Sequence, residues 1–106
     1  MKTVWENGRF ALAQLVRAKA GHDRGHYYLI CAVSEDERWL MLADGAGKRL
    51  SSPKRKNAAH VQPIRLHSEA LAGRIADGTA RDEELKHYLS EYQRREGKSF
   101  TKGGDK

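Results

Sequence analysis

The sequence predicts a mostly β fold: a small closed or half-closed five-stranded barrel followed by a C-terminal helical hairpin. Three observations carry this. Five short apolar or alternating segments, separated by turn residues, fill the first two-thirds of the chain. No stretch between them is long enough for a crossover helix, which excludes a βαβ unit. After His67 the apolar period changes from that of a strand to that of a helix.

The first segment, LVRAKA, sets Val16, Ala18 and Ala20 against Arg17 and Lys19, the alternation of a half-buried strand. YYLICAV (Tyr27–Val33) is a run of β-favouring residues that suits a more buried strand. SEDE (Ser34–Glu37) supplies a polar turn, and RWLMLA (Arg38–Ala43) is the next strand. DGAGK (Asp44–Lys48) is a glycine-containing turn, and RLSS is expected to be a short fourth strand. HVQPI (His60–Ile64) closes the series, with Pro63 confining it to an edge or an end. In SEALAGRIA, Leu71 and Ile75 share a helix face and Ser68 suits the N-cap. DGT interrupts the pattern. A second helix then carries Leu85, Tyr88, Leu89 and Tyr92 on one stripe, with acids near its start and Arg94 and Arg95 near its end, as the helix dipole favours.

A chain of 106 residues with 39% hydrophobic content supports one small core. The expected organisation is a barrel over 8–66, a helical extension over 67–95 and a disordered tail over 96–106, where the sequence turns polar and glycine-rich. Its longest apolar runs, such as Tyr27–Val33, are too short to span a bilayer. The N-terminus lacks the apolar region of a signal peptide. Cys31 is the only cysteine, which excludes an internal disulfide and reads as a small buried side chain. These features point to a cytoplasmic protein, expected to be a monomer with no membrane contact.

The chain carries 20 Lys and Arg against 14 Asp and Glu, a formal charge of +6. Residues 1–66 hold 12 basic and 6 acidic side chains, and residues 67–106 hold 8 of each, so the excess lies wholly in the first two-thirds. Lys48, Arg49, Lys54, Arg55, Lys56 and Arg65 form a run with no acid among them. Such a cluster either attracts a polyanion, of which nucleic acid is the commonest in cytoplasm, or is a solvated surface.

No enzyme is indicated and no catalytic residue is assigned: there is no Gly-x-Ser-x-Gly elbow, no P-loop and no Gly-x-Gly-x-x-Gly, and Cys31 falls in a predicted strand. No metal or cofactor is expected either. His22 and His26 are four apart but in a predicted turn, without the acidic or cysteine partners that complete a zinc site. Two stretches suit RNA better. In KRLSSPKRKNAAHVQ, Arg49, Lys54, Arg55 and Lys56 can meet phosphates and Asn57 can reach a base edge. In AGHDRGHYY, Gly21 and Gly25 shape a tight loop, Asp23 and Arg24 lie within it, and Lys19 and His22 flank it. One tyrosine of the adjacent pair must point inward: Tyr28 is assigned to the core and Tyr27 to the surface, where a ring can stack on a base.

The segment GRFALAQLVRAKAGHDRGHYYLICAV resembles the KOW motif: a strand, then Ala-Gly-x-Asp-basic-Gly, then a second apolar strand. Downstream, Asp44-Gly45, Pro53-Lys54-Arg55-Lys56-Asn57 and His60 follow in the order found in KOW domains of the eukaryotic and archaeal large-subunit ribosomal type and their bacterial single-domain relatives. The resemblance spans about Gly8 to Ile64 and extends more loosely to the C-terminal helices. It implies an SH3-like barrel that binds RNA, often ribosomal, through the glycine loop (Gly21, Asp23, Arg24, Gly25) and the basic stretch Pro53–Asn57. Relatives often place Arg or Lys beside the loop where this chain has His22 and His26, so RNA affinity is expected to rise as pH falls.

The function expected from the sequence is therefore a non-catalytic RNA-binding protein associated with ribosomal RNA or the ribosome, acting in translation. The alternative is a protein-interaction module that docks on the ribosome or transcription machinery through the barrel edge or the C-terminal helix.

Overall fold

In the computed structural model, which describes residues 10–100, the chain forms five strands followed by two helices. The strands are β1 (Gln14–Ala18), β2 (Tyr27–Val33), β3 (Trp39–Ala43), β4 (Lys54–Asn57) and β5 (Val61–His67). A single 3-10 turn, Ala58–His60, joins the last two. All pairings are antiparallel, in the order β4-β3-β2-β1-β5, and the sheet curls into a half-barrel with β4 and β5 at its edges. Register shifts in β1 between Gln14 and Val16, and in β2 between Ile30 and Ala32, supply the bend, because an extra residue on one strand of a pair increases local twist.

Both faces of the central strands are buried. Partners across a ladder share a face. Leu15, Leu29 and Ala43 therefore line up on the outer face, while Val16 with Tyr28, and Ile30 with Leu42, line up inside the curl. All seven belong to one buried cluster. The outer row is covered by α2 (Asp82–Phe100), whose Leu85 and Leu89 join that cluster together with Leu71 and Ala72 of α1 (Glu69–Asp77). Burial on two sides is why YYLICAV reads as an unbroken apolar run rather than an alternation.

Two strand assignments change. RLSS is a turn, with the Ser52 N–H bonded to the Arg49 carbonyl, and the fourth strand is the next segment, Lys54–Asn57. An all-polar segment hides a period of two, yet Lys54 and Lys56 pair with Leu42 and Leu40 on the inner face, while Arg55 and Asn57 pair with Met41 and Trp39 on the outer. β5 extends to His67, and its Pro63 stands opposite Val16 on an edge strand, where a missing N–H is tolerated.

The helices begin as the sequence indicates. The Ser68 hydroxyl accepts the Leu71 N–H at 3.1 Å and caps α1. Arg74 of α1 grips Glu84 of α2 through two hydrogen bonds of 2.6 and 3.3 Å. α2 continues through residues 96–100, which the sequence assigns to a disordered tail. The rest of that tail, 101–106, and the first two residues of the expected barrel, 8 and 9, lie outside the described residues. No helix among the described residues is long and apolar enough to cross a membrane.

The turn after β3 anchors α2 to the sheet. The Asp82 carboxylate accepts the Leu50 N–H at 2.8 Å. Gly45, at φ 80°, lies so close to the start of α2 that a Cβ there would stand 2.2 Å from the Asp82 carbonyl oxygen and 2.9 Å from the Lys86 nitrogen. Both neighbours are backbone, so neither can move aside cheaply. Gly45→Ala is therefore expected to destabilise the fold by at least ~2 kcal/mol, combining backbone strain with the clash. Chemical unfolding would measure this, and hydrogen exchange should rise first in α2. Wild-type stability in the variant would contradict this packing.

Candidate nucleic-acid interface

The loop between β1 and β2 is closed by its own backbone. The Ala18 N–H bonds to the His26 carbonyl at 2.9 Å, Gly25 N–H to Ala18 at 2.8 Å, and His26 N–H to Asp23 at 2.8 Å. Gly21 and Gly25 adopt φ of 92° and 89°, which a side chain would strain. The result turns Asp23 inward. Its carboxylate accepts the Tyr28 hydroxyl at 2.8 Å, Lys56 Nζ at 2.8 Å and Lys54 Nζ at 3.2 Å. Lys56 also donates to the Ala20 carbonyl at 3.0 Å. Two segments some thirty residues apart in sequence are thus clamped together through one carboxylate.

Electrostatics follow the geometry. Burial alone would raise the Asp23 pKa, but the bonds from Lys56, Tyr28 and Lys54 outweigh it and hold the carboxyl far below its ordinary value of 3.8. Burial, then the bond to Asp23, pushes the Tyr28 hydroxyl well above the usual tyrosine range. Two ammonium groups meet one carboxylate, so the clamp itself retains a positive charge. Around it Arg17, Lys19, His22 and Arg24 are exposed, and none forms an ion pair with another described residue. The Arg17 guanidinium lies over the loop, 3.8 Å from where a Cβ of Gly25 would stand.

The remaining sequence-derived candidates divide. Lys56 is buried, so its role is to hold the loop, and the phosphate contact expected of it does not fit its position. Lys54 is partly exposed beside it. Tyr27 is on the outer face of the sheet, half-buried, and its ring packs edge-on against Tyr92 of α2, with centroids 5.4 Å apart. Tyr28 occupies the core as assigned. The Asn57 side-chain oxygen accepts the Ala59 N–H and caps the 3-10 turn. Arg55 faces outward, away from the clamp, and Arg49 lines a shallow hollow with Asp82, Glu83 and Lys86.

The two loop histidines also separate. His22 is exposed, whereas His26 Nε2 meets the Asp44 carboxylate at 2.7 Å. Burial would raise the Asp44 pKa, but the N–H groups of Lys48 and Ala46 and the His26 ring outweigh it and keep it low. The His26 ring thus faces a carboxylate, while His22 has no ion pair among the described residues. Among the described residues no group of three or more His, Cys, Asp and Glu is arranged to hold a metal ion. The Cys31 thiol is pushed up to about 12, first by burial and then by Asp82, so it stays protonated at neutral pH. In the Leu85, Tyr88, Leu89 and Tyr92 stripe, both leucines are buried and both tyrosines half-buried against the protein's own core.

Two residues of interest give little signal in the sequence. Arg17 reads there only as the polar side of β1. Trp39 reads only as part of β3, although alternation with Leu40 and Leu42 already puts it, with Met41, on the opposite face. No protein-family model matches this chain, and no curated protein matches it.

The clamp makes a stability prediction with a defined sign. A depressed folded-state pKa stabilises the protein fully above the ordinary Asp value and loses that contribution as pH falls through 3.8 and below. Asp23→Asn leaves Lys56 buried without a counter-ion and is expected to cost about 3 kcal/mol near pH 7. It should also flatten the acid limb of the stability curve. Urea unfolding at about pH 7, 5 and 3 checks both; a variant that tracks the wild type at every pH would contradict the clamp.

Proposed function

We propose that this chain is a non-catalytic RNA-binding protein that meets the sugar-phosphate backbone of a structured RNA with the rim of its KOW-like glycine loop. The single observation behind this reading is the Asp23 clamp. It joins the loop to β4, neutralises the one acidic group of the loop twice over, and leaves Arg17, Lys19, His22 and Arg24 exposed around it. A rigid, backbone-closed loop ringed by cations suits phosphate contacts, because the donors need no reordering on binding. The resemblance to ribosomal KOW domains favours ribosomal RNA or the ribosome as the setting, in a cytoplasmic protein.

The phosphate-facing residues are then Arg17, Lys19, Arg24 and Lys54, with His22 beside them on the loop. Lys56, Asp23, Gly21 and Gly25 serve by shaping the loop. A protein-interaction module remains the competing class, but its best candidate surface, the α2 stripe, already packs on the chain's own sheet.

Combined reversal of Arg17, Lys19 and Arg24 to Glu should weaken binding to a structured RNA at least tenfold at about 0.1 M salt. It should also lower the slope of log affinity against log salt by roughly 0.9 for each phosphate no longer neutralised. The thermal midpoint should stay within a few degrees, since these side chains have no ionic partners among the described residues. Filter binding or fluorescence anisotropy across a salt series measures this. Unchanged affinity and slope would contradict the assignment, as would a wild-type protein that binds no RNA.

A further inference from the structure

Trp39 opens β3 with its side chain on the outer face, across from Asn57 of β4. It is 38% exposed and is the one large hydrophobic side chain that stands exposed among the described residues. Arg55, also outward on β4, lays its guanidinium 4.1 Å from the centre of the indole ring. The guanidinium lies over the ring at a sheet edge that no other described strand covers. Asn57 is held beside it: its oxygen is committed to the Ala59 N–H, which leaves its amide N–H groups directed elsewhere as donors.

We infer that Trp39 and Arg55 form a stacking platform for one unpaired nucleobase, with the Asn57 amide as donor to an acceptor on the base edge. The inference rests on the RNA reading above and extends it from backbone to base. A base offers what this surface matches: a π-face for the indole or for the second face of the guanidinium, and acceptors at its rim. Charge complementarity favours a nucleotide too, since the Arg55 guanidinium at the platform is cationic. Successive residues of β4 alternate between the clamp (Lys54, Lys56) on one face and the platform (Arg55, Asn57) on the other, so one edge strand carries both.

The test uses the full chain and two RNA hairpins of the same stem, one with a single-stranded tail of adenosines and one with an abasic tail of equal length and charge. Trp39→Ala is expected to weaken binding of the adenosine-tailed hairpin roughly tenfold and to leave the abasic-tailed one unchanged. Trp39→Phe, which keeps a ring, should retain most of the affinity and guards against a folding artefact. In a Trp5→Phe background Trp39 is the sole tryptophan, and its emission should be quenched by the adenosine tail only. Equal behaviour of the two tails, no quenching on binding, or equal loss in the Phe and Ala variants would overturn the inference. So would a bound tail that leaves Trp39 bright while Trp39→Ala abolishes co-purification of a protein partner. If neither hairpin binds the wild type, the RNA reading itself fails; if both bind with Trp39 indifferent, only the platform fails.

Discussion

One carboxylate organises this protein. Asp23 lies at the meeting of three elements: the glycine loop that carries it, β2 through the Tyr28 hydroxyl, and β4 through Lys54 and Lys56. Lys56 is buried to 8% exposure, a position that a lysine occupies only when its charge is paired. The Asp23 pairing therefore permits a strand as polar as KRKN to present two lysines to the inner face of a sheet. The same pairing fixes the loop and sets the sign of the surface around it. Fold and charge distribution have one cause.

The second constraint is the double burial of the central strands. A curled sheet this small encloses little apolar volume, and the outer row of Leu15, Leu29 and Ala43 would face water without α2. The helix is held by the Gly45 contact, the Asp82 bond to Leu50 and the Tyr27–Tyr92 ring pair. It thus completes the core of the half-barrel. Tyr27 shows the consequence for that face: its ring packs against α2, and the large hydrophobic side chain that stands exposed among the described residues is Trp39, on the adjoining part of the same outer face.

How much of this is legible in the sequence depends on whether a residue's environment is local. Alternation in LVRA, the apolar run YYLICAV, the Ser68 cap and the α2 stripe are local patterns, and each corresponds to the element it suggests. Tyr28 lies in the core for an equally local reason: adjacent strand residues must face opposite ways. RLSS and KRKN mislead, because polarity usually marks a loop. Nothing near Lys54 or Lys56 in sequence announces that their counter-ion is Asp23, more than thirty positions earlier. The same long-range pairing divides the candidate site: Arg24 and Lys19 stay at the surface, while Lys56 lies in the interior. His26 is the partner of Asp44 rather than a free cation for the same reason.

If the glycine loop, held by Asp23, is the RNA-facing surface, a heteronuclear NMR titration of the full chain with a structured RNA tests it most directly. Amide shifts should concentrate on Arg17, Lys19, His22, Arg24 and Lys54, while the residues of α1 and the buried half of α2 stay in place. Shifts confined to the helices, or no shifts on addition of RNA, would contradict it.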